Sequence, residues 1–92
     1  MLFMDIYRVR PGQRDEAIRR FMKGGAQPPQ GVKLIARWHD ASALTGVVIT
    51  EADDPAKMAA WALQWNDIME LDPRPVLTDE QLGAVLAEAQ KG

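Results

Sequence analysis

The chain has 92 residues, a formal net charge of −2 and a predicted pI of about 5.3. This length is typical of a single domain, here residues 1–92. The absence of cysteine excludes disulfides, thiolate metal sites and cysteine nucleophiles. The weakly acidic balance argues against nucleic-acid binding, which normally requires a basic surface.

The sequence shows no targeting or membrane-spanning pattern. The segment MLFMDIYRVR lacks the basic start of a signal peptide and carries Asp5 within its apolar run. No apolar stretch approaches the roughly 20 residues that cross a bilayer. We therefore expect a cytoplasmic protein that does not interact with membranes.

The first third of the chain predicts a strand followed by a helix. Residues 2–9 (LFMDIYRV) alternate so that Phe3, Asp5, Tyr7 and Val9 share one strand face. Residues 13–23 (QRDEAIRRFMK) carry a narrow apolar stripe at helical spacing. Gly24-Gly25 should end this helix, because glycine adopts a left-handed cap at little cost.

A β-hairpin is predicted next. Residues 32–39 (VKLIARWH) and 43–50 (ALTGVVIT) read as two strands joined by a short turn. Simple alternation places Trp38 on one face with Val32, Leu34 and Ala36, and places Arg37 and His39 on the other. Gly46 inside the second of these strands predicts a bulge or the close approach of a bulky neighbour.

The remaining chain predicts a helix, a strand and a last helix. Asp53 or Asp54 should cap the second helix, with Pro55 at its first position and Trp61 and Trp65 on its buried stripe. Residues 67–76 read as a strand whose two prolines favour a sheet edge. Thr78 and Gln81 resemble a capping box before an apolar helical stripe.

This element order predicts a ferredoxin-like α+β fold. The arrangement β-α-β-β-α-β, followed by a C-terminal helix, is typical of a four-stranded antiparallel sheet with two helices on one face. The opposite face of the sheet then requires cover. The C-terminal helix could supply part of it, and we expect a second subunit, packed sheet to sheet, to supply the rest.

Several segments resemble a small bacterial family, domain of unknown function 3303. They are MLFMDIYRVRPG, GVKLIARWHD, the Thr50-to-Pro55 turn and WALQWNDIMELDPRPVLT. Such domains look like members of the dimeric α/β-barrel superfamily, in which two ferredoxin-like subunits face each other with their sheets. The resemblance implies this fold and a homodimer. It implies no catalytic residue.

Four polar residues on the predicted strands are candidates for chemistry. His39, the only histidine, could act beside Arg37 as a general base or anion ligand, or could simply end a strand. Asp5 and Tyr7 share a strand face. Asp5 either forms an ion pair with Arg37 or Lys33, within the chain or across a dimer, or serves as a base of raised pKa in a pocket.

The tryptophans could form the walls of such a pocket. Trp61 and Trp65 are most simply core residues, and together with Trp38 they could also line an apolar pocket for a planar ligand. The spacing of acids and the lone histidine favours no metal site, and no cofactor motif occurs.

Three functions therefore remain open from the sequence. The first is a homodimer that binds a small apolar or aromatic ligand. The second is a cofactor-independent enzyme, of the monooxygenase or isomerase type, that acts on an aromatic or lactone substrate. The third is a structural or interaction module whose dimer is its whole function. In the first two cases the predicted site comprises Asp5, Tyr7, Arg37, Trp38, His39, Trp61 and Trp65.

Overall fold

The computed structural model describes residues 1–91 and contains four strands and three helices. In chain order they are β1 (Leu2–Val9), α1 (Arg14–Gly24), β2 (Val32–His39), β3 (Thr45–Ala52), α2 (Pro55–Trp65), β4 (Met69–Val76) and α3 (Asp79–Lys91). The strands form one antiparallel sheet in the order β2-β3-β1-β4. The predicted ferredoxin-like α+β fold with a C-terminal helix is confirmed.

Local chemistry explains where these elements start and stop. Gly25 caps α1 in the left-handed conformation, with φ of 69°, and the Asp54 carboxylate accepts the Ala56 N–H at the start of α2. Thr78 and Gln81 exchange the two hydrogen bonds of a capping box before α3. Strand β4 lies at a sheet edge, where Pro73 and Pro75 are tolerated.

Two strands begin two residues later than predicted. Strand β3 starts at Thr45 instead of residue 43, because the Asp40 carboxylate accepts hydrogen bonds from the Ser42 hydroxyl, the Leu44 N–H and the Thr45 hydroxyl. These bonds prolong the turn. Strand β4 starts at Met69 instead of residue 67, because the Ile68 N–H bonds to the Trp65 carbonyl at the end of α2.

A β-bulge in β2 changes the orientation of the side chains that follow it. Leu34 pairs with Thr50 on β3, but Ala36 pairs with the adjacent Ile49, so Ile35 is the extra residue. The prediction that Trp38 shares a face with Val32 and Leu34 is therefore wrong. Arg37 and His39 join the face of the sheet that carries the helices, and Trp38 turns to the opposite face.

The core lies between the sheet and the helices α1 and α2. Its buried residues are Phe3, Tyr7, Val9, Ala17, Val32, Val48, Ala52, Met58, Trp61 and Ile68. Thr50 is also fully buried, and its hydroxyl donates to the sulfur of Met58 at 3.3 Å. Burying the face that carries Phe3 and Tyr7 sets the register of β1, because a one-residue slip would turn that whole face outward.

The other face of the sheet, here called the outer face, is apolar at its centre, and residues 1–91 leave this centre uncovered. Its central residues are Met4, Ile6, Trp38, Val47 and Ile49. Ile6 is 49% exposed and Trp38 is 59% exposed. Helix α3 buries none of its residues, so it does not cover this face within the chain. None of the three helices is long and apolar enough to cross a membrane, within residues 1–91.

Candidate functional site

A cavity of about 240 Å³ opens between the sheet and the helices α1 and α2. We call it the helix–sheet cavity. Its walls are mostly apolar, from Val9, Ala17, Ile18, Phe21, Ala26, Ala43, Val48, Trp61, Ala62, Trp65, Met69 and Leu71. Four polar residues complete its lining: Asp5, Tyr7, Arg37 and His39. An apolar cavity with a few converging polar groups is the usual form of a small-molecule site.

The structure brings together six of the seven predicted site residues. Asp5 and Tyr7 reach the cavity from β1, Arg37 and His39 from β2, and Trp61 and Trp65 from α2. Trp38 does not line the cavity, because the bulge in β2 turns its side chain to the outer face.

Tyr7 and His39 form a hydrogen-bonded pair at one end of the cavity. The Tyr7 hydroxyl lies 2.5 Å from His39 Nδ1, and the Phe21 ring packs edge-on against the imidazole with centroids 5.4 Å apart. Burial raises the pKa of the Tyr7 hydroxyl, the Asp40 carboxylate adds to this increase, and the Arg37 cation opposes it. At neutral pH Tyr7 is therefore a neutral hydroxyl that can donate or accept a hydrogen bond.

Gly46 creates the space in which the Tyr7 ring lies. A Cβ added at this position would meet the Tyr7 ring, including Tyr7 Cζ at 2.6 Å, and the Trp38 carbonyl oxygen at 2.5 Å. Gly46 pairs with Tyr7 on one side and His39 on the other. The predicted close approach of a bulky neighbour at Gly46 is confirmed, and this neighbour is a site residue.

Arg37 is anchored to the segment that follows α1. Its guanidinium donates to the Gly25 and Ala26 carbonyls, each at 2.9 Å, and lies 5.2 Å from the centre of the Phe21 ring. Burial lowers the pKa of this guanidinium, partly offset by Tyr7. Gly25 and Ala26 both have positive φ, 69° and 48°, so Arg37 holds a backbone turn of unusual conformation against the cavity.

Asp5 is buried without an ionic partner. Its side chain is 6% exposed, and one carboxyl oxygen accepts the Asp72 N–H at 2.8 Å. Within residues 1–91 it forms no ion pair with Arg37 or Lys33, so the predicted intrachain ion pair is absent. Burial raises the pKa of Asp5, the Asp72 carboxylate adds to this effect, and the hydrogen bond from the Asp72 N–H opposes it.

Trp61 and Trp65 serve both as core residues and as cavity walls. Trp61 is 8% exposed, and its indole N–H has no hydrogen-bond partner among the described residues. Trp65 packs on the core cluster, with the guanidinium of Arg20 over its ring at 5.9 Å. Arg20 also pairs with Asp67 at 2.6 Å and so links α1 to the chain just after α2.

Sequence reasoning missed several lining residues. Phe21 lies in the helix predicted over residues 13–23 but is not in the predicted site, and Ala26 lies just after the predicted end of that helix. Met69 and Leu71 come from β4. The available signal was the position of Phe21 four residues before the Gly25 cap, which places its ring near the end of α1 where the chain turns back to the sheet.

These features define a ferredoxin-like α+β protein with a cavity between its helices and its sheet. The sequence matches the family model "Domain of unknown function (DUF3303)" over residues 1–90, and the chain belongs to this family. No curated protein matches the chain. A solved structure titled "Crystal structure of antibiotic biosynthesis monooxygenase" is similar at 15% identity, with a TM-score of 0.44, and the match covers 85% of this chain and 100% of that one.

We predict that Gly46→Ala destabilises the fold, because the new methyl group would collide with the Tyr7 ring and with backbone. The expected loss is about 1–3 kcal/mol in the free energy of unfolding, measured by urea denaturation. Gly24→Ala is the matched control, since nothing lies within 4 Å of its added Cβ, and it should cause no comparable loss. Equal stabilities of the two variants would contradict the close approach.

We also predict that Asp5 titrates above 3.8, the ordinary value for its carboxyl group, because burial disfavours its charged form. Carboxyl ¹³C NMR should detect this midpoint, with Asp40 shifted in the opposite direction as an internal control. A midpoint at or below the ordinary value would contradict the desolvation of Asp5.

The same shift has a consequence for stability. As pH rises, Asp5 loses its proton in the unfolded chain before it does so in the folded protein. Its contribution to the free energy of unfolding is therefore complete below its ordinary pKa. This contribution is lost as pH rises through the raised pKa of the folded state. The stability of the wild type relative to Asp5→Asn should therefore fall across that window in urea denaturation.

Proposed function

We propose that the protein is a homodimer in which each subunit binds a small apolar or aromatic molecule in the helix–sheet cavity. The observation that carries this proposal is an open, mostly apolar cavity that is also lined by polar groups from two strands. Side chains that only filled a core would close this space, since protein interiors pack at the density of organic crystals.

The size of the cavity fits a molecule of one or two rings. An apolar cavity of about 150 Å³ is known to bind benzene, and the helix–sheet cavity measures about 240 Å³. Phe21, Trp61 and Trp65 supply aromatic surface against which a flat ligand can pack. Tyr7 and Asp5 would orient it through hydrogen bonds.

Two uncovered apolar surfaces support the homodimer. The outer face exposes Ile6 and Trp38, and α3 exposes Leu82, Val85 and Leu86 by 46%, 56% and 53%. A contiguous apolar surface of this kind usually marks an interface. A second copy of the chain has the same two surfaces, so a single symmetric interface can cover the outer face and α3 of both copies.

A cofactor-independent enzyme that acts on an aromatic or lactone substrate is the second candidate. The specific observation in its favour is Asp5, a buried carboxyl with raised pKa whose second oxygen receives no hydrogen bond from residues 1–91. Such a group can take a proton from a carbon or hydroxyl of a bound substrate. Asp5→Asn would then abolish turnover while leaving binding nearly unchanged.

We predict that the two-ring fluorescent probe 2-naphthol, which is neutral at pH 7, binds in the cavity and that Ala62→Phe weakens its binding at least tenfold. Ala62 lines the cavity, and a phenyl ring there would occupy the space of the ligand. Ala59→Phe is the matched control, because Ala59 is exposed on the same helix and does not line the cavity. A fluorescence titration in which both variants bind like the wild type would overturn the assignment of the site.

We predict a dimer in light scattering, with twice the 10.2 kDa mass of one chain. Trp38→Glu should shift it toward the monomer, because it places a charge on the apolar outer face. Leu63→Glu should remain dimeric, since Leu63 is 72% exposed on α2, away from that face. A wild type that is monomeric at all tested concentrations would contradict the homodimer without affecting the cavity.

A further inference from the structure

We propose that the Arg37 end of the helix–sheet cavity binds a carboxylate, so that the ligand is an apolar acid with one carboxylate on a flat or compact body. This inference rests on the proposed small-molecule function and names the chemical class of its ligand. It follows from the charge of Arg37, from the hydrogen-bond donors that remain on its guanidinium, and from the position of Tyr7 beside it.

The charge of Arg37 has no acidic partner. Four other arginines lie within 4.0 Å of a carboxylate oxygen: Arg8, Arg19, Arg20 and Arg74. Arg37 lines an apolar cavity and is partly withdrawn from water, yet no such carboxylate lies near it among residues 1–91. A cation in these surroundings gains more from an anionic partner than one on the surface does, because it is less well hydrated.

The guanidinium is held in place and retains unused donors. It has five N–H groups, and two of them donate to the Gly25 and Ala26 carbonyls. The other three make no hydrogen bond within residues 1–91. The two carbonyls and the Phe21 ring restrict the orientation of the planar group, so binding an anion requires little further ordering of the side chain.

Tyr7 can add a second donor at the same end of the cavity. When His39 carries a proton on Nδ1, the ring donates to the Tyr7 oxygen, and the Tyr7 O–H is then available to a ligand. Arg37 is close enough to Tyr7 to affect its pKa. The Phe21 ring lies 5.2 Å from the Arg37 guanidinium and 5.4 Å from the His39 ring, so Arg37 and the Tyr7–His39 pair share one end of the cavity.

The rest of the cavity favours a single negative charge. Among residues 1–91, Arg37 is its only permanently cationic lining residue, and apart from Ala17 the helical residues that line it come from the middle and C-terminal parts of α1 and α2. Helix C-terminal ends carry partial negative charge, which disfavours a dianion such as a phosphate monoester. Asp5 lies two residues from Tyr7 along β1, roughly 6–7 Å away, so it faces the body of the ligand.

Three probes with the same naphthalene body test this inference: 2-naphthoate, its methyl ester and 2-naphthyl phosphate. Isothermal titration calorimetry at pH 7 with the intact protein should show naphthoate binding at least tenfold more tightly than the ester. This is the gain expected from charge-assisted hydrogen bonds. The phosphate should bind no more tightly than the ester.

Variants then assign the preference to Arg37. Arg37→Met should remove the advantage of naphthoate over the ester. Arg8→Met is the matched control, because Arg8 lies on the outer face and should leave the advantage unchanged. Since Arg37 also holds the Gly25–Ala26 turn, Arg37→Lys provides a second test. This variant keeps the positive charge, so it should still bind naphthoate more tightly than the ester even if the turn loosens.

The outcomes separate this inference from the function on which it rests. If none of the three probes binds, the proposed small-molecule function fails. If the ester and naphthoate bind equally, the carboxylate assignment is wrong while the cavity remains a binding site. Tightest binding of the phosphate would also overturn the assignment. Retention of the naphthoate advantage in Arg37→Met would show that another group recognises the charge.

Discussion

The single extra residue in β2 determines the chemistry of both faces of the sheet. Because Ile35 is bulged, Arg37 and His39 lie above the sheet among the helices, and Trp38 lies below it. Regular alternation from Val32 would have placed Trp38 on the face that carries the helices, and Arg37 and His39 on the outer face. The polar end of the cavity and the apolar character of the outer face are thus two results of one backbone irregularity.

Inside the cavity, strand geometry concentrates polar groups where the helices leave space. Tyr7 fits beside His39 because the paired residue on β3, Gly46, has no side chain. Arg37 bonds the backbone of the turn after α1, which ties the end of that helix to β2. The site is therefore supported by strands and by a fixed turn, and strands hold side chains more rigidly than loops do.

Much of this structure could be predicted from the sequence, and the exceptions have physical causes. Element order, caps and the edge position of β4 follow from local patterns such as Asp54-Pro55 and Gly24-Gly25, and six of the seven candidate residues line one cavity. The face of the sheet on which Trp38 lies does not follow from a local pattern, because a bulge depends on pairing with another strand. The Gly25 cap places Phe21 near the end of α1, but its contact with the cavity also depends on how α1 crosses the sheet, which the local sequence does not specify.

Helix α3 differs from the rest of the domain in a way that bears on its folding. It is 13 residues long and buries none of them, and isolated helices of about this length are only marginally stable in water. Its side-chain support within one chain is local, from the Thr78–Gln81 capping box and the Lys91–Glu88 ion pair. Because these contacts do not involve the sheet, α3 can unfold without opening it, and the amide protection of α3 against hydrogen exchange would report whether another surface covers it.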